Sequence, residues 1–172
     1  MTGQTPDTSL VWERQQLLAE LRSRVARESD ALADSTRQLA GRLAEIPRDK
    51  LDLAAVRNVE NLAYSTDKVS DLTDLLKKLI GRDGRGERWA REGVGPSLLN
   101  ALEGLRDRAT RIADTMQKYQ RAYQEYESDL PRRIHLLLCR EYVRHLVANF
   151  EYLRLEGELA HREFLRPAGE VA

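Results

Sequence analysis

Three histidines, one cysteine and one Gly/Arg-rich stretch are where chemistry could sit in this chain of 172 residues. The histidines are His135, His145 and His161. A di-iron carboxylate centre between facing helices needs a Glu-x-x-His pair twice over. Here it occurs once, as Glu158-Leu159-Ala160-His161, and HExxH is absent. Cys139 has no second cysteine, so neither a zinc thiolate set nor an internal disulfide can form. No metal, cofactor or catalytic set is expected from these residues. Five of the ten glycines fall in 81–95, GRDGRGERWAREGVG, which lacks the GxxxxGK[ST] phosphate loop and follows no strand. The same stretch spaces Arg82, Arg85, Arg88 and Arg91 three apart around Trp89. Were it helical, those arginines would share one face.

A second constellation is Arg140-Glu141-Tyr142-Val143-Arg144-His145, which reads R-x4-H. It resembles the motif of HEPN-domain ribonucleases, although Glu141 stands where that family often has Asn, Asp or His. The resemblance implies a helical bundle, usually dimeric, in which Arg140 and His145 bind and act on an RNA phosphate with His145 as acid–base catalyst. It covers six residues.

The elements that must position these groups are helical. Val11, Leu18, Val25, Leu32, Leu39 and Ile46 recur every seven residues, with Ala19, Ala26, Ala33 and Ala40 beside them. That pattern predicts one long helix, 9–45, with a narrow apolar seam. Its second stripe, Leu21, Ser29, Thr36 and Leu43, is polar in the middle. Pro47 ends this helix and suits the first turn of the next. Val59, Leu62, Thr66, Val69, Leu72, Leu76 and Leu79 predict a second helix over 47–80, stopped by Gly81. After the 81–95 loop, Leu98, Leu102, Leu105, Ala109, Ile112, Met116, Tyr119, Tyr123, Tyr126 and Leu130 predict a third helix over 96–129, the tyrosines being core rather than a base-stacking platform. Pro131 opens a fourth, 131–165, with Leu136, Cys139, Val143, Leu146, Phe150, Leu153, Gly157, Ala160 and Phe164 on one stripe. Leu138, Tyr142, Tyr152, Leu155 and Leu159 widen it, so this helix is either the most buried or covers a second surface.

The expected architecture is therefore all-α: an elongated up-down-up-down four-helix bundle with coiled-coil-like packing, between a flexible tail at 1–8 and a short tail at 167–172. The alternative is two long helices kinked at their prolines and bundled between chains. Twenty-eight basic residues balance 28 acidic ones. Bulk charge therefore does not indicate nucleic acid, and only Arg132, Arg133, Arg140 and Arg144 make a local basic bias. The segment 1–9 is polar and no run nears the ~20 apolar residues of a membrane span, which points to a cytoplasmic chain without a signal peptide. In the up-down bundle, Trp12, Trp89, Arg82, Arg85, Arg88 and Arg91 share one end, together with His161 and Phe164. Tryptophan and arginine are the residues most enriched at interface hot spots. The sequence thus points to a non-enzymatic adaptor or structural subunit that binds protein chains, itself included, at that end. A nucleic-acid-associated subunit and a HEPN-like ribonuclease are the alternatives.

Overall fold

A computed structural model describes residues 8–116, 119 and 129–164, and all regular structure in them is helical. The α-helices are α1 (Thr8–Ala44), α2 (Leu53–Ser65), α3 (Val69–Arg82), α4 (Val94–Thr115) and α5 (Leu130–Phe164), with one turn of 3-10 helix at Arg91–Gly93. The expectation of four helices is corrected to five among the described residues.

The extra helix comes from 47–80. Pro47 opens a tight turn, its carbonyl accepting from Lys50 and Leu51 at 2.9 Å each. Asp52 then caps α2, its carboxylate accepting from the Ala55 amide at 2.7 Å. At Thr66 the chain turns extended. The Thr66 hydroxyl accepts the Lys68 amide at 3.0 Å and donates to Asp71 at 2.6 Å, fastening the turn into α3. A threonine side chain offers the backbone this alternative to the helical ladder, and here it is taken.

One consequence is topological. Arg42 of α1 reaches Ser97 at the start of α4, while Arg24 reaches Thr115 at its end, so these helices are antiparallel. Ser29 meets His145, Asn149 meets Thr36, and Arg154 meets the Ile46 carbonyl, so α1 and α5 are parallel. Arg57 pairs with Glu151 and Arg140 with the Ala63 carbonyl, so α2 opposes α5. The five helices alternate in direction, and a fifth pass puts the last helix parallel to the first.

The core follows the seams. On α1 the buried positions are Leu17, Leu21, Val25, Ser29, Leu32, Thr36, Leu39, Ala40 and Leu43, with Ile46 buried just past its end, whereas Val11 is 44% exposed. The α4 seam is buried from Leu98 through Met116. That helix stops at Thr115 instead of running to 129; Tyr119 is half-buried, and Tyr123 and Tyr126 lie outside the described residues, as do the tail at 167–172 and all of the expected tail at 1–8 except Thr8, which begins α1. The part of α5 up to Phe150 is the most enclosed stretch, with Ile134, Leu138, Cys139, Val143 and Phe150 fully buried, and every other α-helix packs against α5. At roughly 25 cal/mol per Å² of apolar surface, each such side chain contributes about 1.5–3 kcal/mol.

Candidate functional site

The 83–93 loop is folded around one carboxylate. Asp83 accepts amides from Glu87 at 3.1 Å, Arg88 at 2.8 Å and Ala90 at 2.8 Å. Burial by itself would raise its pKa, but the amides of Ala90, Arg88 and Glu87 outweigh this and hold it below the usual value. The loop delivers Trp89 into the core at 3% exposure. Behind it the chain passes so closely that a Cβ on Gly95 would lie 2.5 Å from the Trp89 carbonyl and 2.6 Å from Ile80. Arg42 of α1 donates to the Glu92 carbonyl, tying the loop to the bundle.

Arg82, Arg85 and Arg88 are exposed, and Arg91 is half-buried beside Glu92. The loop is not a helix, so the four do not form the expected helical face. Trp12 is 59% exposed and lies elsewhere. Arg42 of α1 touches this loop, and Trp12 precedes it by eight turns of the same helix, about 45 Å along the axis. With five alternating helices, the start of α1 falls at the end opposite the loop; the expected meeting of the two tryptophans does not occur.

The R-x4-H residues also part company. Arg140 donates to the carbonyls of Ala63 and Thr66 at 2.8 Å each, satisfying the open end of α2. His145 turns to α1, its Nε2 2.8 Å from the Ser29 hydroxyl. Ser29 is buried and donates its single proton to Glu141 at 2.7 Å. The Ser29–His145 bond must then be donated by Nε2, the reverse of what a histidine base activating a serine requires. Arg144 closes the group on Glu141 at 2.5 Å. The arrangement is a polar joint between α1 and α5, continued by Asn149 donating to Thr36 at 2.9 Å. It explains why the second stripe of α1 is polar.

A further exposed apolar surface, outside any motif, lies on α5. Tyr152, Leu155 and Leu159 are 55%, 54% and 50% exposed, at helical spacing, and Ala148 extends the same stripe. Of the residues that widen the α5 stripe in sequence, Leu138 and Tyr142 are buried and these three are not. Arg154 marks the change: it binds the carbonyls of Ile46 and Leu51 at 2.8 and 2.7 Å, where α1 has already ended, and α5 continues past it. This tail shares an end with the arginine loop. Arg48 pairs with Glu158, and Lys50, two residues on, pairs with Glu87 at 2.9 Å. His161 is exposed on the same tail.

No family model, curated protein or solved structure matches the chain. Among the described residues, no three His, Cys, Asp or Glu side chains group as metal ligands, and no helix is long and apolar enough to cross a membrane.

Proposed function

We propose that the chain is a non-enzymatic helical subunit that joins protein chains through the end carrying the α5 tail and the 83–93 loop. The observation that carries this reading is the half-exposed stripe of Tyr152, Leu155 and Leu159 on a helix running beyond its neighbours. Such a stripe is one wall of a helix–helix contact, with 3–4 spacing ready for a partner helix. Arg82, Arg85 and Arg88, exposed at the same end, supply the charged rim. A second copy of the chain is the first occupant to test, and a cytoplasmic setting suits the single buried thiol.

The finer architectural reading, an elongated bundle with coiled-coil-like packing, is supported by Leu32, Thr36, Leu39, Leu43 and Ile46, buried at alternating spacings of four and three.

Sedimentation across a concentration series tests the function. Wild-type protein is expected to associate, and Leu155→Glu to remain monomeric at unchanged melting temperature. A monomer at all concentrations whose behaviour Leu155→Glu leaves unchanged would sink the self-assembly reading. RNA cleavage lost in His145→Ala, in a variant that still folds, would replace it with the ribonuclease.

A further inference from the structure

At the end opposite the loop, a cavity of about 600 Å³ opens between α3, α4 and α5. Its size is that of a small-molecule site. Lys68, Arg106 and Arg132 line it, together with the hydroxyl residues Ser70 and Thr110, and His135. Each of the two acidic residues of the lining faces an arginine other than Arg106. Asp129 caps α5, accepting the Arg132 amide at 3.2 Å and pairing with its guanidinium at 2.7 Å. Asp67 is fully exposed and leans towards Arg140 at 4.0 Å. Lys68 and Arg106 have no carboxylate within ion-pairing distance among the described residues. Both α3 and α5 begin here, and Lys68 leaves the first turn of α3 without a side-chain cap. The lining is thus net basic, three cations against two carboxylates, with Asp71 also in the first turn of α3.

His135 gives the recess its chemical character. It is 95% buried by its 5% exposure, and its Nε2 donates to the Leu102 carbonyl at 2.7 Å. That bond fixes the tautomer and leaves Nδ1 as a lone pair with no partner among the described residues. Burial pushes its pKa down; the Leu102 carbonyl and Glu103 oppose this, and Arg106 adds to it. A His135 lone pair in the same lining as Lys68 and Arg106 suits an anion that carries its own proton. A phosphate monoester, titrating near pH 6, is such an anion, and a sulfate is not.

We propose that this cavity binds a small phosphorylated polyol. Lys68, Arg106 and the Val69 and Ser70 amides hold the phosphate, Nδ1 of His135 accepts its hydroxyl proton, and the Ser70 hydroxyl and Thr110, whose own proton goes to the Arg106 carbonyl at 3.1 Å, meet the polyol hydroxyls. The site is independent of the docking end, which lies at the far pole of the bundle. Calorimetric titration of the whole chain with glycerol phosphate, inorganic phosphate, sulfate and glycerol tests it. Glycerol phosphate should bind saturably and most tightly, with inorganic phosphate weaker, sulfate weaker still and glycerol silent. Arg106→Ala and Lys68→Ala, both surface changes whose folding a thermal melt verifies, should each weaken binding about tenfold, the effect of one charge-assisted hydrogen bond. Absence of saturable binding by glycerol phosphate and phosphate overturns the proposal. So does binding that sulfate matches, or that neither variant weakens.

Discussion

The two tryptophans of this chain have opposite fates, and the regions around them show why. Trp89 sits in a loop with five nearby glycines, the composition of a mobile linker, yet it is buried and its loop is fastened at Asp83, Gly95 and Arg42. Trp12 sits in a long helix of regular heptads and is exposed. Helical regularity brings a side chain to a face but does not supply a neighbour to cover it. A loop with a central acceptor and one close approach can bury a large ring more completely than a helix can.

Trp89→Ala should cost about 3–5 kcal/mol in chemical denaturation, the usual penalty for emptying a buried aromatic site. Trp12→Ala should stay within about 0.5 kcal/mol. Equal costs would erase the contrast. Gly95→Ala should destabilise by roughly 1–3 kcal/mol, because the Trp89 carbonyl and Ile80 occupy the space of the new methyl. Asp83→Ala strips three amides of their acceptor and should cost about 1–3 kcal/mol. The carboxylate also makes the loop acid-sensitive. Its folded pKa lies below the unfolded one, near ~3.9, so its contribution is complete above that value and is lost as pH falls through the folded pKa. A pH series of melts on wild type and Asp83→Asn should converge at the acid end. Leu155→Glu, on the open tail, should leave stability nearly unchanged while abolishing association. Least affected of all is Cys139: burial pushes its thiol up to about 12, so a thiol reagent should label it only after unfolding.

Sequence periodicity made the all-helical character legible, together with α1, the α4 seam and the start of α5 near Pro131. The division at Thr66 was not legible, because Val59, Leu62, Thr66, Val69 and Leu72 keep helical spacing across a turn held by one hydroxyl. That missed turn had a large effect. It added a pass to the bundle, reversed α5 relative to expectation and moved Trp12 away from the loop. The α5 tail was half-visible, as a second stripe on a helix too apolar for one face. Its exposure depended on which sides of α5 the neighbouring helices pack, which no local pattern encodes. The R-x4-H spacing was correct as text, but Arg140 and His145 stand about 140° apart around α5 at 3.6 residues per turn, and each found its own partner.

An odd number of alternating passes also governs how this chain can be rewired. Residues 8 and 164 lie at opposite poles, about 60 Å apart from the matched heights of Ser29 and His145. Many domains bring their termini together and tolerate circular permutation with a short joint. Here a joint between those two points would need roughly 17 extended residues. Tandem fusion needs only a short one, and it would stack successive copies pole to pole into a rod.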